Sequence, residues 1–145
     1  MHPPVGSRSV LQLSFDQIVV GGAGLFYFLS GAALLFAPAW FYLTIGTFPP
    51  FNRHYAGDLG AFLLPLGAAL LIAARSPSRH ALLIACAAGG SLLHACNHIY
   101  DAIIERATPG DWLVDIPSLL LIAVLLIVVY RSSHRSSTTQ HVTSG

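Results

Sequence analysis

Four apolar runs, each close to the thickness of a bilayer core, decide what this chain can become. They cover residues 18–36, 55–74, 81–103 and 112–130. A helix that crosses hydrocarbon about 30 Å thick needs about 20 predominantly apolar residues. Each run is continuous rather than alternating, so helices are expected and a barrel of short alternating strands is not. Charge supports this reading: 9% of residues are charged and 54% hydrophobic, against about 25% charged in soluble domains. The sequence therefore predicts one all-α domain, a four-helix transmembrane bundle over 18–130. Residues 1–17 form an N-terminal segment. The Ser/Thr-rich tail 131–145 cannot bury a core and is expected to be disordered.

Orientation follows from arginines near the span ends. Arg8, Arg75, Arg79, Arg131 and Arg135 fall on one side, and Arg53 and Arg106 on the other. This asymmetry predicts both termini in the cytoplasm. The far side carries Glu105, Asp111 and the aromatic group Trp40, Phe41, Tyr42 and Trp112, as an interfacial belt would. Ala37-Pro38-Ala39 has the small residues of a signal-peptide cleavage site, but the apolar run before it is longer than the usual stretch of about 7–15 residues. The first helix is expected to be retained.

Helices in lipid gain nothing from the hydrophobic effect between them, so small residues mark their contacts. The first three spans are rich in Gly and Ala, and Gly24/Gly31 and Gly60/Gly67 share a seven-residue spacing. The fourth span, LLLIAVLLIVV, has almost no small residues and reads as a lipid-facing slat. Short loops predict antiparallel sequential neighbours. Pro65 is expected either to be simply tolerated, as prolines in membrane helices can be, or to kink the second span and free a carbonyl near Ala61. Cys86 and Cys96 lie about 15 Å apart along one helix, too far for a disulfide, and are expected to be buried small hydrophobes.

Within these apolar runs stands a set of polar residues. His94, Asn97, His98 and Asp101 share one helical face of the third span, and His54 and Asp58 sit four apart at the start of the second. Asp111 and Asp115 precede the fourth span and read as helix N-caps. At about 1.5 Å per residue, Asp101 lies about 3 Å inside the boundary, His98 about 8 Å and His94 about 14 Å, near the midplane. Asp58 comes to a similar depth to His98, and the two are expected to hydrogen-bond or share an ion. The result would be a polar funnel, open outward and ending at His94.

Three chemistries suit this set. His54, Asp58, His94 and His98 could ligate Zn, Fe or Cu, with Asn97, Asp101 and Asp115 in support. Histidine and aspartate chains also relay protons through membranes. Haem between facing histidines ranks lower, because so small a bundle must leave room for the macrocycle. Against all three stands the plainer expectation that His, Asn and Asp act as interhelical glue.

The segment GDLGAFLLPLGAALLIAARSPSRHALLIA and the later HACNHIYD, with four short spans, resemble small bacterial integral membrane proteins of the broad DoxX-like type. The resemblance covers about residues 18–130. It implies a multi-pass helix bundle of the bacterial inner membrane; some DoxX-like proteins are linked with quinone or thiol oxidoreduction. The chain has no paired-cysteine motif for the thiol branch. The leading expectation is thus a membrane protein with a buried His/Asp site opening to the outer face, binding a metal ion or relaying protons as a small oxidoreductase-like subunit. The rival is a non-catalytic subunit that stabilises a larger complex. Expected partners are the lipid bilayer, a quinone or another membrane subunit, and further copies of the chain; no nucleic-acid partner is expected.

Overall fold

The structure, a computed structural model, describes residues 13–47, 49–104 and 110–142. The start of the N-terminal segment, Arg8, Glu105, Arg106 and the last three residues lie outside the described residues. The described residues are helical and contain no strand. Four helices are long and apolar enough to cross a membrane: Phe15–Phe36, Arg53–Ala73, Pro77–Ile104 and Trp112–Ser133. The chain is a multi-pass membrane protein by length and composition of its helices.

Helix α1 (Phe15–Phe36) starts at a capping box. The Gln17 side chain accepts from the Ser14 backbone N–H at 2.9 Å, and Ser14 Oγ accepts from the Gln17 N–H at 3.3 Å. It ends at Ala37, where Pro38 opens the short α2 (Pro38–Thr44). A proline fits the first turn of a new helix because its missing N–H has no partner there in any case. Helix α3 (Arg53–Ala73) begins at Asn52, whose side chain accepts from the N–H groups of His54 and Tyr55. It continues through Pro65 to Ala73. A 3-10 turn, Pro77–His80, leads into α4 (Ala81–Ile104). A π-helical turn, Asp111–Asp115, leads into α5 (Ile116–Val142).

The helices form two pairs rather than an even ring. α1 packs along α3, and α4 along α5, whereas α3 and α4 hardly touch. The α1–α3 seam is built on the glycines with the shared spacing. A Cβ on Gly67 would stand 2.2 Å from the Phe28 nitrogen, and one on Gly31 2.3 Å from the Leu64 nitrogen. Gly24 faces the Leu71 nitrogen and Gly60 the Leu35 nitrogen in the same way, at 2.8 Å and 2.7 Å. Backbone therefore lies against backbone, the closest approach that dispersion forces and lipid entropy can reward.

The α4–α5 seam is different. Ile84, Ala87, Ala88, Ser91 and Ala95 are buried on one side of α4, and Ala123, Leu126 and Val129 on α5. The fourth span turns this one strip inward and leaves Leu121, Val124 and Val128 exposed; its branched side chains pack over the α4 alanines, so small residues on one helix suffice. α5 also runs past Tyr130 to Val142, through residues where the sequence predicts disorder. Adding residues to an existing helix costs far less than nucleating one.

One buried cluster joins the two pairs: Val20 and Ala23 from α1, Leu70 and Ala73 from α3, Ile84 and Ala87 from α4, Leu126 and Val129 from α5. All belong to the end of the bundle where α1 starts and α5 ends. There Ser132 Oγ also donates to Asp16 Oδ2 at 2.8 Å. The polar residues sit toward the opposite end.

Candidate functional site: the polar stripe of α4

On α4 the rings of His94 and His98 stack, with centroids 4.8 Å apart and planes 9° from parallel. The offset of four brings side chains one above the other on a helix surface. One turn further, Asn97 Nδ2 donates to Asp101 Oδ2 at 2.8 Å. Asn97 and Asp101 are thus tied together within α4. His94, Asn97, His98 and Asp101 form one continuous polar stripe.

The stripe does not line the interior of the bundle. His94 and Asn97 are exposed, and His98 and Asp101 are half-buried. The inward face of α4 is held by Ile84, Ala88, Ser91, Ala95 and Ala102 instead. The funnel expected between α3 and α4 therefore has no second wall. Sequence periodicity put the four residues on one face; it carried no sign for which way that face turns.

His54 and Asp58 pair with each other on α3, Nε2 to Oδ2 at 3.4 Å, with side chains 80% and 58% exposed. A pair so open to its surroundings contributes little stability. Asp58 finds its partner on its own helix, and His98 finds His94; the direct Asp58–His98 pairing is replaced by two intrahelical pairs. The reason is the pairing of α1 with α3 and α4 with α5, which leaves α3 and α4 with scant contact. Among the described residues no group of three or more His, Cys, Asp and Glu is placed to hold a metal ion.

Asp115 lies in the π-helical turn that runs into α5. An N-cap has non-helical backbone, so Asp115 is not the cap expected of it. The side chain of Asp111 lies outside the described residues. Cys86 and Cys96 are both free and exposed, against the expectation that they are buried. Their alanine neighbours at 87, 88 and 95 take the inward positions.

Tyr27 and Ser91 form the polar contact that sequence reasoning missed. The Tyr27 hydroxyl bonds Ser91 Oγ across from α1 to α4, and both are buried. Ser91 Oγ also donates to the Ala87 carbonyl at 2.7 Å. A lone tyrosine and a lone serine in apolar runs give no pattern. Depth does: Ser91 lies one turn from His94 toward the termini-bearing end.

A family of unknown function, DUF6632, matches residues 7–143. The chain belongs to that family. No curated protein and no solved structure matches it.

Proposed function

We propose that this DUF6632 protein passes protons across the membrane, with α4 carrying them between the outer surface and the bundle midplane. The observation that carries the reading is the stacked His94–His98 pair continued by the Asn97–Asp101 hydrogen bond. Imidazole gains and loses a proton near neutral pH, and each ring has two nitrogens, so it can accept on one side and donate on the other. Asp101, held by Asn97, takes the proton at the boundary; His98 and His94 pass it inward. The Ser91–Tyr27 hydroxyls, one turn deeper, extend the line toward the far side. A bacterial inner membrane, the location that the DoxX-like resemblance implies, and cytoplasmic termini would let such a relay draw on the proton gradient. A reporter fused at residue 135 reads the orientation, and activity on the periplasmic side would reverse it.

The test uses protein reconstituted in vesicles with a trapped pH-sensitive dye. An imposed pH step should collapse faster than in empty vesicles. His98→Ala and His94→Ala should each slow it by about tenfold or more, an effect within the usual range for positioned acid–base groups. Flux no greater than that of empty vesicles would refute the relay.

A second reading is favoured by the i, i+4 imidazoles themselves. Two nitrogens on one tetrahedral metal stand about 3.3 Å apart, given bonds of 2.0–2.1 Å. The stacked rings would have to rotate toward each other, and His54 and Asp58 would have to arrive from α3 or from another chain. Stoichiometric Zn, Fe or Cu in the detergent-purified protein would favour this reading over the relay. Neither flux nor metal would leave the stripe as glue in a larger membrane complex.

A further inference from the structure

α4 has a second face that the chain does not use. The inward positions Ile84, Ala88, Ser91, Ala95 and Ala102 are buried. On the opposite side of the same helix Cys86, Gly90, Leu93, Asn97, Tyr100 and Ile104 are all exposed. Their spacing is 4, 3, 4, 3, 4, the repeat of a helix seam that meets another helix along its whole length. A Cβ on Gly90 would meet nothing within 4 Å, unlike the Cβ positions of Gly24, Gly31, Gly60 and Gly67. Gly90 therefore leaves room for a close approach from outside the chain.

The polar content of this seam says what covers it. Asn97 spends one N–H on Asp101, which leaves a second N–H and a carbonyl oxygen within the span. Hydrocarbon cannot satisfy these groups, so a membrane helix with such a residue places it against protein or water. Asn97 carries donor and acceptor together, and a two-fold axis along the membrane normal sets it opposite its own equivalent at equal depth. A single Asn at a seam position pairs with itself and fixes parallel register. His94 and Asp101 flank the seam, so the polar stripe also faces the partner rather than lipid.

We propose that two copies of this chain pair in parallel through α4, with Gly90, Leu93 and Asn97 at the centre of the contact. The pairing stands apart from the relay, since it needs only the unfilled seam and its asparagine; protons need not move for it to form.

The experiment measures dimer fraction by single-molecule photobleaching of the full chain in vesicles, over a range of protein-to-lipid ratios. The wild type should be dimeric. Gly90→Leu should weaken the dimer by at least about tenfold, roughly what one lost membrane contact can account for. It should not lower thermal stability in detergent, because a Cβ at that position meets no atom of another helix of the chain within 4 Å. In a Cys86→Ala/Cys96→Ala background, Leu93→Cys should form a disulfide dimer in membranes with copper phenanthroline. Phe62→Cys on α3, 77% exposed beside 73% for Leu93, should not. A monomeric wild type, cross-linking of Leu93→Cys only to a different protein, or equal cross-linking from both positions would each overturn the proposal.

Discussion

Gly31 and Gly67 stand against the backbone of a neighbouring helix, while Gly89 and Gly90 on α4 face open space. The residue type is the same and the use is opposite. On the α1–α3 seam glycine is required by the chain itself: any Cβ there displaces main-chain atoms that cannot swing away. On α4 the chain makes no demand, and the space remains for something beyond it. A small residue in a membrane helix thus reports close packing only when its own contacts are known. Counting glycines along a span does not separate the two cases.

Three substitutions test this contrast, in falling order of effect. Gly67→Ala drives a methyl to within 2.2 Å of the Phe28 nitrogen. We expect a loss of about 3 kcal/mol or more, the upper range for overpacking, read as thermal unfolding in detergent. A wild-type melting temperature would mean that α1 and α3 can separate at no cost. Tyr27→Phe removes the hydroxyl that bonds Ser91 but leaves the ring and the Ser91–Ala87 bond. The expected loss is about 1 kcal/mol. A loss as large as that of Gly67→Ala would shift the weight of the fold from the glycine seam to this one bond. Gly89→Ala places its methyl in open space and should stabilise slightly, by about half a kcal/mol, through lower backbone entropy in the unfolded chain. Destabilisation would show that α4 already has a neighbour at that point in the detergent-purified protein.

The spans were legible because a bilayer imposes length and apolarity on any helix that crosses it. Helix ends were legible to within a turn, except at α5, which carries on from Tyr130 to Val142. The seven-residue echo of Gly24/Gly31 in Gly60/Gly67 was visible as a repeat, and the structure places the two pairs face to face. What a sequence cannot state is which of several small-residue faces finds a partner, since that is settled by competition among helices. For this reason His94, Asn97, His98 and Asp101 were placed on one stripe but turned toward the wrong neighbour. Tyr27 and Ser91 carried no spacing signal, being single residues on different helices. The alanines of α4 and the branched residues of α5 gave no warning of their fit, because shape complementarity resides in pairs of surfaces.

The pairing of α1 with α3 and of α4 with α5 has a consequence for biosynthesis. Chains emerge N-terminus first and their parts fold as they are completed. By the time Ala74 has left the ribosome, the glycine seam has both its strips and can close without anything downstream. The first hairpin then waits in the bilayer with the Tyr27 hydroxyl unsatisfied until Ser91 arrives. That one hydroxyl marks a half-made protein: a nascent chain stalled between the second and third spans lacks the Ser91 partner of Tyr27, and the finished chain supplies it.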